Sequence, residues 1–137
     1  MPEKKEITCL RSFWIQGDCL HIPILVLVGD REKANKKLLK RYGTSDTRPL
    51  VFIDDDCVGL ASYQTHAGGR TEQVLWLEAL TDSPFSISVL GHEATHLADN
   101  VMEYRVIPPE RNSGEIRALI TEQTMFNILQ GHEKVTI

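Results

Sequence analysis

The sequence predicts an α+β fold, with strands and one helix in the first half and two long helices in the second. Three observations carry that expectation. A β-branched run, Ile22-Pro23-Ile24-Leu25-Val26-Leu27-Val28, closes on Gly29-Asp30. A lysine-rich stretch follows it with apolar residues at helical spacing. From Ser83-Pro84 onward the chain then holds two long segments, the first opened by a helix-start signal and neither broken by an internal proline.

Taken in order, the run ending at Val28 reads as a buried strand, with Pro23 near its start where a missing donor is tolerated. Asp30 is placed to cap a helix over "REKANKKLLKRYG". Its Ala34, Leu38 and Tyr42 fall on one stripe, lysines cover the rest, and Gly43 ends it. The lysine cluster reads as a solvated helix face. "PLVFI" (49–53) reads as a second strand and Asp54-Asp55-Asp56 as the polar turn after it, since no EF-hand spacing follows. "CVGLASYQTHAGG" runs on to a double glycine. "RTEQVLWLEAL" alternates Val74 and Trp76 against Leu75 and Leu77, as a strand does. Thr81-Asp82-Ser83-Pro84 is a helix start, Ser83 capping and proline at the first helical position. The helix it opens ends before Pro108-Pro109. A final helix, roughly "GEIRALITEQTMFNILQ", begins after Asn112-Ser113-Gly114 and is expected to stop at Gly131.

Size and composition bound the function. The 137 residues make one ordinary domain, residues 1–137, large enough to bury a core without disulfide support. With 42% apolar and 25% charged residues, the chain falls among globular proteins. A net charge of −4 argues against a nucleic-acid binder that relies on phosphate contacts. The longest apolar run, Ile22 to Val28, is far too short to span a bilayer, so no membrane partner is expected. Met1-Pro2-Glu3-Lys4-Lys5-Glu6 leads into no apolar signal segment, and the expected location is the cytoplasm. Cys9, Cys19 and Cys57 show no CxxC spacing and read as reduced thiols. A zinc cluster of Cys9, Cys19 and His21 would lack a second paired element.

The chemistry concentrates in "SVLGHEATHLADNV", residues 88–101. On a helix, residues four apart stack on one face, so His92 and His96 can point at one ion. A borderline-soft divalent ion such as zinc accepts imidazole nitrogen readily. Glu93 lies about 100° round the helix from His92, within reach of a water at the ion. The spacing supplies two metal ligands and a base, the zincin arrangement. Small Ala94 and Thr95 suit a helix packed behind a site, and Asp99 could accept an imidazole N–H and fix the tautomer.

A third ligand is needed. The metzincin pattern wants glycine three residues past the second histidine and a histidine three further on, where this chain has Asp99 and Met102. A glutamate on the following helix remains. Glu115 stands in its first turn, eighteen residues intervening after His96. Glu122, two turns on and on the same face, is the rival, in which case Glu115 is a favourable charge at a helix N-terminus.

His-Glu-x-x-His followed after eighteen residues by Glu resembles the gluzincin class of zinc peptidases, most closely the small, compact metallopeptidases of phages and prophages. The resemblance covers roughly Gly69 to Leu129. It implies a minimal zincin-like fold, in which a small mixed sheet lays an edge strand over the cleft beside an active-site helix and a following glutamate helix. It implies His92, His96 and Glu115 as zinc ligands and Glu93 as the catalytic base, with a peptide or protein as substrate. The larger gluzincins often carry an aspartate four residues after the third ligand; here that position is Leu119, with Asp99 or Glu122 as substitutes.

On that reading Glu93 takes a proton from the attacking water and returns it to the leaving amine. Tyr63, His66 and Tyr104 are the candidates for an added donor to the oxyanion. Val74 to Leu77 are expected to form the edge strand that pairs with an extended peptide, Trp76 lining a pocket beside it. Two rivals stand beside this reading. A peptide-deformylase-like amidohydrolase, hinted at by "GLASYQ" (59–64), needs a cysteine ligand between that motif and the histidines, and Cys57 precedes it. The other is a phage-encoded, non-catalytic binding protein that keeps zinc as structure while acting on a host factor.

Overall fold

Among the described residues of the computed structural model, seven segments are regular: β1 (Leu10–Gln16), β2 (Pro23–Gly29), α1 (Arg31–Tyr42), β3 (Gly59–Thr65), β4 (Thr71–Leu77), α2 (Pro84–Tyr104) and α3 (Gly114–Thr136). The structure describes residues 9–16, 22–43, 53, 56–65, 71–105 and 114–136. The strands form one mixed sheet in the order β1-β2-β4-β3. β2 and β4 are parallel neighbours at its centre; β1 and β3 pair with them antiparallel from the outside.

Alternation along the two central strands separates two cores. Leu25, Leu27, Val74 and Trp76 face α1 and meet its buried stripe of Ala34, Leu38 and Tyr42. Ile24, Val26, Val28, Leu75 and Leu77 face the other way, onto Leu90 and Leu97 of α2 and Ile128 of α3. α1 therefore covers one face of the sheet while α2 and α3 cover the other. The mixed α+β class expected from the sequence is what the structure has. Just before the start of β2, Ile22 closes a smaller cluster with Ala98, Val101 and Met102 of α2 and Ile120 of α3. Ile120, early in α3, thus meets residues late in α2, so the two helices run antiparallel.

Both expected caps form. The Asp30 carboxylate accepts the N–H of Lys33 at 3.0 Å, and the Ser83 hydroxyl that of Ser86 at 3.2 Å, each taking up a donor that a helix start leaves over. Gly29 has φ +134°, and a Cβ there would run into the carbonyl of Cys9. That carbonyl accepts the N–H of Asp30 at 2.9 Å, fastening the turn from β2 into α1.

The structure corrects three expectations. α3 does not stop at Gly131 but continues to Thr136. The glycine serves packing there: a Cβ would lie 2.7 Å from the Phe13 ring of β1. β1 and β3, not assigned from the sequence, are the outer strands. β4 is interior, bonded on both sides, so Val74 to Leu77 have no open edge. Most of "PLVFI" and Asp54-Asp55 lie outside the described residues; Ile53 is buried against the α1 face. Among the described residues no helix is long and apolar enough to cross a membrane.

Candidate metal centre

α2 carries its apolar residues, Leu90, Ala94, Leu97, Ala98 and Val101, inward, which turns the opposite stripe to solvent. His92 and His96 stand on that stripe one turn apart. Their Nε2 atoms are 3.2 Å apart, with the rings edge-on at 79°. Two imidazole nitrogens bound to one tetrahedral zinc at about 2.05 Å would be roughly 3.3 Å from each other. The pair already holds that spacing.

Glu93 faces the other side of the stripe, toward β3. It is buried, its Oε1 is 3.9 Å from His92 Nε2, and its Oε2 has no hydrogen-bond partner among the described residues. An orphaned, buried carboxylate oxygen beside two convergent imidazoles is what a cation or a polarised water would satisfy. Burial raises the Glu93 pKa above the ordinary carboxylate value, while the neighbouring His92 and His96 pull it down. Its ligand atoms and those of the two histidines all lie within 4.8 Å of one another, which makes a three-residue group able to hold a metal ion.

β3 supplies the wall. Gly59 sits so close that a Cβ would lie 3.0 Å from both Glu93 Cγ and Val89 Cγ1. Val58, Gly59, Ser88, Val89, His92 and Glu93 line a cleft of about 320 Å³. The Glu78 N–H donates to the Val58 carbonyl at 3.1 Å. Bonded and non-bonded pairs alternate in an antiparallel ladder. With the observed register, Leu60 and Ser62 therefore bond to β4, while Gly59, Ala61 and Tyr63 turn their N–H and C=O groups outward. The edge strand beside the cleft is β3.

The other sequence-predicted residues are placed as follows. Glu115 and Glu122 are both exposed on α3, and neither carboxylate belongs to the His92–Glu93–His96 group. The Asp99 carboxylate is not turned to an imidazole. It accepts a two-pronged bond from Arg117, Nε to Oδ1 at 2.6 Å and Nη2 to Oδ2 at 3.2 Å. Because α2 and α3 are antiparallel, that pair sets their register. Counting from it at about 1.5 Å per residue, Glu122 is level with the interval between His92 and His96 and Glu115 about 8 Å beyond His96. At about 100° per residue, however, both lie on the exposed face of α3, roughly opposite its buried Ile120, Thr124 and Ile128. Trp76 is fully buried on the α1 side, its Nε1 donating to the Gly29 carbonyl at 3.0 Å, so it lines no part of the cleft. Tyr63 and Tyr104 pack against each other at 5.9 Å, at the far end of α2. Eight residues past His96 is about 12 Å along the helix, which removes both from the oxyanion role. His66 lies outside the described residues.

Sequence reasoning missed Gly59. The glycine at the head of "GLASYQT" was the available signal, since glycine in a strand often marks a close approach. No protein-family model matches the chain, and neither a curated protein nor a solved structure is significantly similar to it.

Proposed function

We propose that this protein is a zinc-dependent metallopeptidase of minimal zincin-like fold, hydrolysing a peptide amide with Glu93 as general base. The observation that carries the reading is the 3.2 Å approach of His92 Nε2 to His96 Nε2, with the buried Glu93 carboxylate beside them. His92 and His96 are the ligands that the structure brings together; the sequence spacing offers Glu115 as the third, although it stands exposed on α3 outside the His92–Glu93–His96 group. A zinc ion held there would bring the pKa of water toward neutrality and polarise the carbonyl under attack.

The chain's own groups do the rest. Glu93, buried beside the two imidazoles, is placed to take a proton and pass it to the leaving nitrogen. Gly59 leaves room for that carboxylate between β3 and α2. The outward main-chain groups of Gly59, Ala61 and Tyr63 can pair with an extended peptide, holding it along the face that carries the histidines. The proposed setting is the cytoplasm, that of a host cell if the chain is phage-encoded.

One observation favours a second reading. The His92 side chain is 70% exposed, whereas hydrolytic centres commonly exclude water. A non-catalytic protein that keeps zinc for stability and acts on a host factor by binding tolerates such openness. Glu93→Gln separates the two. With zinc content and hydrolysis of an unstructured labelled protein such as casein measured together, the enzyme keeps its zinc and loses turnover by about 10²-fold or more. Hydrolysis that survives Glu93→Gln, or that was never present in zinc-loaded wild type, defeats the peptidase reading.

A further inference from the structure

We propose that the outer edge of β1, with the groove that α3 forms beside it, is a docking site for an extended peptide whose side chains alternate between acidic and apolar. This edge of the sheet is the one opposite β3 and the metal cleft, and the inference does not depend on the metal reading. The Cys9 carbonyl accepts the Asp30 N–H at 2.9 Å, so these two residues form a bonded pair where β1 meets β2. Alternation then gives Arg11, Phe13 and Ile15 the bonds to β2 and turns the N–H and C=O groups of Leu10, Ser12 and Trp14 outward. Pro23, which has no N–H to give, falls opposite Gln16 in a non-bonded position, as this alternation requires. Among the described residues no strand pairs with the outward groups.

Such an edge is a template for another strand, and proteins usually blunt it with proline, lysine or a bulge. β1 instead runs seven residues without proline or lysine and leaves Trp14 45% exposed. Its two sides differ in what they offer. On the α3 side, Phe13, Ile15, Asn127, Gln130, Lys134 and Val135 line a groove of about 340 Å³. Exposed Arg11 stands on the same side of β1 as Phe13. Among the described residues no acidic side chain lines the groove, so its rim is positive in a chain of net charge −4. On the α1 side the Trp14 ring lies 4.7 Å from the Arg41 guanidinium, whose charge Glu72 already takes up. A strand added to β1 sends alternate side chains to these two sides. Carboxylates facing Arg11 and Lys134, and apolar groups facing Trp14, match what that strand meets.

The test measures fluorescence anisotropy of labelled peptides with the full chain carrying Glu93→Gln, so that hydrolysis cannot consume the probe. A peptide of alternating glutamate and valine should bind with a Kd below about 1 mM. The same peptide with lysine in place of glutamate should bind about tenfold or more weakly. Of two versions N-methylated at one or the other alternate set of residues, only the one whose methyl groups face β1 should lose binding. Ser12→Pro removes an outward N–H and leaves the ladder to β2 intact, so it should weaken binding about tenfold with little change in melting temperature. Arg11→Glu combined with Lys134→Glu should weaken the glutamate peptide and strengthen the lysine peptide, a reversal that misfolding cannot produce. The inference is overturned by no binding of the glutamate peptide, by equal binding of both peptides, or by undiminished binding in a folded Ser12→Pro chain. It is also overturned if the chain's own mass doubles with concentration and Ser12→Pro returns it to monomer, since a second copy would then hold the edge.

Discussion

Gly59 owes its role to what it lacks. A methyl group at this position would press on Glu93 Cγ and Val89 Cγ1, both at 3.0 Å, and the flexible carboxylate arm is the one that can yield. Gly59→Ala should therefore cut turnover of any hydrolysed substrate by about tenfold to a hundredfold, the cost of misplacing a reacting group by a fraction of an ångström to an ångström. Zinc content should be unchanged. Wild-type kinetics in that variant would show that Glu93 needs no such clearance. His132 gives a second prediction at this scale. Burial, then the nearby charge of Arg11, lowers its pKa below the ordinary imidazole value. The unfolded chain thus binds the proton more readily than the folded one. Stability is full above the free imidazole's pKa of about 6.5 and falls as the pH drops through it toward the depressed folded value. Urea midpoints between pH 7 and 5 should show this acid loss reduced in His132→Gln; an identical slope would assign it elsewhere. Of the site, His92, Glu93 and His96 were legible in the sequence because helical periodicity alone brings them to one region of one helix. Gly59 was not, since it acts across a gap between elements that no local spacing encodes.

Among the elements, α1 and α2 were readable almost to the residue because their starts rest on local chemistry. Asp30 and Ser83 bond to the N–H three residues on, and that signal is written in consecutive positions. Replacing Ser83 with Ala should cost about 1 kcal/mol, or roughly 3–5 °C in melting temperature for a chain of this size. α3 shows where such signals mislead. Glycine usually ends a helix or weakens it, yet Gly131 is helical because the Phe13 ring occupies the space a side chain would need. Gly131→Ala should consequently destabilise by about 1–3 kcal/mol through overpacking, although alanine is the better helix former. Trimming the ring with Phe13→Leu should recover part of the loss. A Gly131→Ala chain as stable as wild type would mean that α3 can shift away from β1 at no cost. β1 and β3 escaped sequence reading for a related reason. "LRSFWIQ" and "GLASYQT" are outer strands, half exposed and without a continuous apolar run, so their identity depends on the partner that each finds.

For the molecule as a whole, the metal reading predicts a ligand-linked stability. With free zinc at about a thousand times the dissociation constant, binding should add roughly 4 kcal/mol, and chelation should lower the melting temperature accordingly. His92→Ala should melt at the same temperature with and without chelator. A wild-type chain indifferent to chelator would remove the ion from any part in holding the fold. The two-core architecture was only half visible in advance, since alternation in β2 and β4 reports burial but not which strand lies beside which. Sheet order depends on contacts between residues some fifty positions apart, Leu25 beside Val74 and Leu27 beside Trp76. The insertion of β4 between β2 and β3 also governs how the chain can be made. A nascent polypeptide leaving the ribosome has emitted β1, β2 and β3 before β4 appears; β1 can already pair with β2, but the edges of β2 and β3 that face β4 must wait unsatisfied until Leu77 has emerged. Truncated products that end before that point should collect as protease-sensitive material, and the complete sheet should assemble late in synthesis, in one concerted step.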